Sequence, residues 1–264
     1  KDHSLTMSER PLNTLVVIPA RYKSSRFPGK PLADLNGKPM IAHVVHRATL
    51  AERPDKVIVA TEDQSIANTV SLLGHPVVLT SDKHLTGSDR VAEVAALYPA
   101  PLIVNLQGDL PLFSPHVLDR LIERGGEWIT SGEADVVTLT ARMDSEQEIL
   151  SPNTVKLVRN RNGDVLYFSR SPIPHFNPKI GSIAEASYFK HYGVYLYERN
   201  FLLKMAKSKE GYLEKMEQLE QLRFLEEGGR IRAIEITHEE AEQFCEVNVP
   251  EDLVKARAML LNIG

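Results

Sequence analysis

Residues 15–18, LVVI, form an unbroken apolar run that stops at Pro19, the mark of a strand covered on both faces of a parallel sheet. A cation-rich stretch follows. Beyond it Met40, Ile41, Val44 and Val45 recur at helical spacing behind Pro39, which suits a first turn. The alternation then repeats. Residues 56–61 predict a strand, 63–73 a helix stopped by Gly74, and 76–79 another strand. Residues 88–98 predict a helix and 102–106 a buried strand running into Gln107, Gly108 and Asp109; Ser114 is placed to cap a helix over 115–124. Successive βα units of this kind predict a doubly wound, Rossmann-like α/β sheet.

After Asp135 the texture changes. VVTLTA, VKLVRN and VLYFS are strand-like, and Asn162-Gly163 between the last two is a tight-hairpin signal, so this part is expected to be antiparallel. Residues 188–197 predict a strand, 213–227 a helix with Met216, Leu219, Leu222 and Leu225 at core spacing, and 231–236 a strand. Pro250 opens a closing helix with acids in its first turn. No repeat or flexible linker interrupts the pattern. The expected organisation is a lead over 1–14 outside the fold and one domain over 15–264, carrying an inserted antiparallel subregion about 151–197.

Composition narrows the function. The chain's 264 residues suffice for a sizeable core, and 31 Lys and Arg against 35 Asp and Glu give a formal net charge of -4. No global basic field gathers nucleic acid or anionic lipid, so anion binding must come from local clusters. The single Cys245 excludes an internal disulfide and a cysteine zinc cage. The polar lead lacks a signal-peptide core, and no apolar run approaches the roughly 20 residues of a membrane span. A cytoplasmic protein is expected.

Candidate chemistry gathers at strand ends. PARYKSSRFPGKPL places Arg21, Lys23, Arg26 and Lys30 within ten residues, with Ser24, Ser25 and Gly29 among them, directly after the first strand. That is the carboxyl edge, where open α/β sheets bind ligands, and packed like charges repel unless an anion compensates them. Neither GxxxxGK[ST] nor GxGxxG is present, which disfavours P-loop and dinucleotide readings. Asp109, at the same edge, reads as a turn cap alone; facing the basic loop it suits a magnesium ion held jointly by substrate phosphates. Thr86, Gly87 and Arg90 begin a helix and suit contact with a base or phosphate. Glu220 and Gln221 read equally as a cavity wall or as solubilising residues. His191 and Tyr195, four apart on a strand with Gly193 between, share one face and either line a sugar pocket or pack with satisfied hydrogen bonds.

Taken together, IPARYKSSRFPGKPLADLNGKPMI, ATED, TGSDR, NLQGD, SPNTVKLV, LYFSRSPIP, KHYGVYLY, LEQLR and VNVPEDL resemble the 3-deoxy-manno-octulosonate (KDO) cytidylyltransferases in order and spacing from Leu15 onward. RFPGKPL, YFSR and LEQLR separate this branch from the related sialic-acid enzymes. The resemblance implies a nucleotide-diphospho-sugar transferase fold with a mixed, mostly parallel sheet. It also implies magnesium-dependent transfer of CMP from CTP to the anomeric hydroxyl of an acidic 2-keto-3-deoxy sugar, releasing pyrophosphate and supplying lipopolysaccharide assembly. Carried over residue by residue, it sets Arg21 and Lys30 on the triphosphate with Arg26 nearby, and Ser24, Thr86 and Gly87 along the nucleotide. Arg90 and Gln107 join the nucleotide and sugar, and Asp109 becomes a Mg2+ ligand. Arg170, His191, Tyr195, Glu220 and Gln221 surround the sugar, with the subregion 151–197 serving the sugar and a homodimer. An 8-amino analogue of the sugar, or nucleotide-sugar binding without catalysis, remain as alternatives.

Two motifs depart from the family spelling. QGDLP stands for the usual QGDEP, and VNVPEDL for VDTPEDL, which puts Asn248 where a second metal-binding Asp is expected. An amide oxygen can ligate magnesium but carries no full charge. Glu246, two residues earlier and on the same face if the segment is extended, is the candidate substitute.

Overall fold

The computed structural model describes residues 12–24, 26–84 and 86–261, so the expected lead over 1–14 lies outside the described residues except at its last three positions. Strand β1 (Thr14–Ala20) is the buried apolar run, and a small hairpin, β2 (Asp34–Leu35) and β3 (Lys38–Pro39), follows the basic loop. Helix α1 (Met40–Thr49), β4 (Lys56–Thr61), α2 (Gln64–Leu72), β5 (Val77–Leu79), α3 (Gly87–Leu97), β6 (Leu102–Asn105) and α4 (Pro115–Thr130) then alternate as the pattern predicts. The rest comprises β7 (Val136–Met143), α5 (Glu146–Leu150), β8 (Lys156–Arg159), β9 (Val165–Ser169), β10 (Tyr188–Glu198), α6 (Arg199–Met205), α7 (Tyr212–Glu217), α8 (Gln221–Glu226), β11 (Ile231–Glu235), α9 (His238–Glu242) and α10 (Asp252–Leu261).

Among the described residues the main sheet has nine strands, ordered β11-β7-β10-β6-β1-β4-β5 with β8 on β10 and β9 on β8. Pairs of β1 with β4 and β6, β4 with β5, and β7 with β11 are parallel. Strand β10 is antiparallel to both β6 and β7. The sheet order reverses around β1 and β6, which brings the loops after these two strands to one crevice.

Alternating side chains of β1 feed two cores. Val16 and Ile18 pack with α1 and α4 on one face, whereas Leu15 and Val17 pack with α3 and α6 on the other. A third cluster of Leu35, Met40, Leu112, Cys245, Val247 and Leu253 ties the segment before α10 to the loop hairpin. This cluster matters because it fixes residues 245–248 beside the crevice.

Three elements differ from expectation. Helix α4 runs on through Gly125 and Gly126, because a Cβ at Gly125 would sit 2.9 Å from Leu196 and 3.2 Å from Val137; glycine here allows close helix-on-sheet packing. The Asn162-Gly163 hairpin is wider than a two-residue turn. Asn160 N–H donates to Asp164 O at 2.9 Å, and the ladder shifts register between Val158 and Arg159. Finally, the helix expected over 213–227 breaks at Gln218, which adopts a left-handed conformation (φ 54°) costing about 1–2 kcal/mol in a non-glycine residue. The break leaves Met216 66 % exposed but buries Leu219 and Leu222, and turns Glu220 towards α3.

Candidate functional site: a phosphate cleft beside an acidic segment

The basic loop leaves β1 and is folded back on itself by Gly29 (φ 70°), whose N–H donates to Tyr22 O at 2.9 Å. Opposite, Gly108 approaches so closely that a Cβ there would lie 2.5 Å from Pro19 O. No larger residue fits this junction. Between the two runs lies a cleft of about 390 Å³, walled by Arg21, Lys23, Ser24, Arg26 and Lys30 on one side and by Gly87, Gln107 and Asp109 on the other. Thr86 caps α3 through its hydroxyl and aims the helix start at this cleft. At its floor the Lys30 ammonium donates to Asp109 Oδ2 and to Val247 O, each at 2.8 Å.

Two further cavities adjoin it. One of about 260 Å³ shares Gln107 and Asp109 and is lined by Lys190, His191, Glu246 and Asn248. The other, about 460 Å³, shares Arg21, Gly87 and Gln107 and reaches Thr86 and Glu220. Glu220 Oε1 accepts from Ser88 Oγ at 3.1 Å, while Oε2 is buried without a partner. Burial pushes the Glu220 pKa up. A donor arriving with a ligand would satisfy that oxygen.

Other expected site residues sit elsewhere. Arg90 lies one layer beneath the cleft, 1 % exposed, because the inner face of α3 carries it into the core. Its guanidinium pairs with Glu62 Oε2 at 2.9 Å and bonds Thr80, and Glu62 Oε1 accepts the Tyr22 N–H at 3.2 Å. Burial pulls the Arg90 pKa down and Glu62 opposes it. Arg90 thus braces the basic loop through Glu62. Arg170 donates to the carbonyls of Glu217 (2.9 Å), Pro152 (3.0 Å) and Gln218 (3.4 Å), so backbone holds its guanidinium at all three nitrogens. Gln221 and Tyr195 are each 3 % exposed, and Tyr195 stacks on Tyr197 with centroids 5.7 Å apart. These two pack as core.

His191 and Tyr195 do share a face, with ring centroids 5.4 Å apart, despite a bulge in β10 after Tyr192. Thr138 Oγ1 fills the bulge, bonding Val194 O at 2.8 Å and lying 3.0 Å from His191 Nε2. Burial pushes the His191 pKa from 6.5 to about 3, so the ring is neutral at pH 7. A depressed folded-state pKa gives stability that is present above 6.5 and is lost as pH falls towards 3. Within that window the group contributes a slope of up to about 1.4 kcal/mol per pH unit. His191→Gln is expected to unfold with a shallower acid slope in urea titrations; an identical slope would show that the ring charges freely in the fold.

Sequence reasoning gave no role to Glu62, although it sits in the quoted ATED motif at the carboxyl end of β4, nor to Lys190, which pairs with Glu148 at the edge of the second cavity. A carboxylate at a strand end beside a cation cluster was the available signal for Glu62.

The donor set fits a divalent cation. Asp109 Oδ1 is buried with no hydrogen-bond partner, and Glu246 and Asn248 open into the same cavity. Among the described residues no group of three or more His, Cys, Asp and Glu side chains is arranged to hold a metal. One or two carboxylates suffice where substrate phosphates complete the shell.

Comparisons with known proteins agree with this geometry. A cytidylyltransferase family profile matches residues 15–236. A 3-deoxy-manno-octulosonate cytidylyltransferase of Pelobacter propionicus is 44% identical over 253 residues, spanning 93% of this chain and 96% of its own. One from Geobacter metallireducens is 45% identical over 246 residues, spanning 90% and 94%. The solved structure of a CMP:2-keto-3-deoxy-manno-octonic acid synthetase complexed with CTP is similar with TM-score 0.86 at 38% identity, covering 96% of this chain and all (100%) of that one. By profile, sequence and fold alike, the chain belongs to the 3-deoxy-manno-octulosonate cytidylyltransferase family of nucleotidyltransferases.

Proposed function

We propose that the protein transfers CMP from CTP to the anomeric hydroxyl of 3-deoxy-manno-octulosonate, forming CMP-KDO and pyrophosphate for lipopolysaccharide assembly. The observation that carries this reading is the Lys30–Asp109 contact at the floor of a cation-walled cleft, with further cavities meeting it at Gln107. A triphosphate along the basic loop places its α-phosphorus where an acceptor in a neighbouring cavity reaches it.

In the transfer the sugar oxygen forms a bond to the α-phosphorus as the bond to the pyrophosphate oxygen breaks, and the hydroxyl proton leaves to solvent or a phosphate oxygen. Arg21, Arg26 and Lys30 hold the triphosphate and meet the charge that moves onto pyrophosphate, while Ser24 and the helix start at Thr86 and Gly87 orient it. Gln107, at the junction of the cavities, positions both partners, and Glu220 and His191 flank the acceptor. Alignment of the two reactants supplies much of the rate. A divalent cation such as Mg2+, drawn to Asp109 with Asn248 or Glu246, would neutralise phosphate charge when bound. A homodimer and a cytoplasmic location belong to the same proposal; among the described residues no helix is long and apolar enough to cross a membrane.

Pyrophosphate release across nucleotides and acid sugars tests the assignment. CTP with KDO is expected to give the highest kcat/KM. A higher value with an 8-amino sugar would reassign the acceptor, and a higher value with another nucleotide would reassign the donor.

A further inference from the structure

We propose that Glu246, not Asn248, supplies the second protein ligand of the divalent cation that accompanies the triphosphate; the inference rests on the functional reading above. The backbone between them is pinned. Val247 N–H donates to Asp109 O at 2.8 Å, Val247 O accepts the Lys30 ammonium at 2.8 Å, and the Val247 side chain is fully buried with Leu112 and Cys245. Since Cys245 and Val247 point inward, extended backbone turns Glu246 and Asn248 outward to the cavity that Asp109 also lines.

The Asn248 amide is already committed. Its Oδ1 accepts from Arg26 at 3.3 Å. An oxygen turned to a guanidinium is poorly placed to face a second cation. Glu246 instead stays open to solvent through the cavity mouth, although protein surrounds it on most sides. Glu246 and Asp109 line the same cavity, so their carboxylates share one opening. Two carboxylates held together, one with an orphaned oxygen, match the charge of a divalent ion. Asp109 with the Asn248 amide would offer one charge fewer.

Manganese binding to the protein–CTP complex without acceptor sugar, read by electron paramagnetic resonance of free Mn2+, tests this apart from turnover. Glu246→Gln is expected to weaken Mn2+ by at least the roughly tenfold that even an outer-shell partner costs, and Asn248→Ala by less than Glu246→Gln. Adding Asn248→Asp to Glu246→Gln is expected to restore affinity, because it returns the missing charge to the same face. CTP binding in EDTA should be unchanged in Glu246→Gln. Unchanged Mn2+ affinity in Glu246→Gln, or a larger loss in Asn248→Ala, overturns the inference while leaving the functional reading intact. A native complex with CTP bound but no CTP-dependent Mn2+ site overturns this inference alone, and absence of CTP binding overturns both.

Discussion

Lys30→Met is expected to lower the rate of pyrophosphate release by at least about 10²–10³-fold, the cost of removing one preorganised charge from a transition state that gathers negative charge. The Lys30 side chain is 12% exposed and its ammonium is held between two oxygens at 2.8 Å, so it is already aimed where the phosphates enter. Preorganisation of this kind acts on kcat as well as on CTP affinity. Lys30→Arg should recover little, since a planar guanidinium does not fit a seat built from one carboxylate oxygen and one backbone carbonyl around a compact ammonium. Steady-state kinetics at saturating CTP checks this. A Lys30→Met variant that is folded and turns over at the native rate would remove Lys30 from the chemistry.

The second large effect concerns stability. Glu62→Ala strands the Arg90 guanidinium, 1 % exposed, without its carboxylate. Breaking a buried pair on one side costs about 3–5 kcal/mol, which for a chain of this size lowers Tm by roughly 6–20 °C. Glu62→Ala also releases the Tyr22 N–H that anchors the start of the basic loop, so KM for CTP should rise. Removing both partners in Glu62→Ala/Arg90→Met is expected to return much of the Tm, because no uncompensated charge remains, yet not the KM. Calorimetry and kinetics on the two variants and the native protein separate the two roles. Equal Tm in the single and native proteins would show that Arg90 finds other partners.

How far the sequence could be read depended on whether a residue's role was local. The runs around β1, β4 and β6 are buried on both faces of the sheet, so hydrophobicity alone located them, and the loop after β1 followed from its charge density. Asp109 was legible for the same reason, as a strand-end carboxylate facing that loop. The break at Gln218 was not legible, because LEKMEQLEQLRFL keeps an unbroken helical period and only tertiary packing of Leu219 and Leu222 favours the left-handed turn. Arg90 shows a further limit. Its motif points to nucleotide, but the face of α3 on which it lies and its distant partner Glu62 are set by the assembled sheet. Arg170 is placed around the sugar by the resemblance alone, whereas the carbonyls of Pro152, Glu217 and Gln218 gather around it only once β9 meets α7.

The direct test of the whole account is phosphorus NMR of the protein incubated with CTP, KDO and Mg2+. The expected spectrum shows CTP signals replaced, in equal amounts, by pyrophosphate and by a single phosphodiester resonance of CMP-KDO, with neither product when KDO is omitted. CTP that binds and remains intact, or that yields CMP or CDP without a sugar phosphodiester, would contradict it.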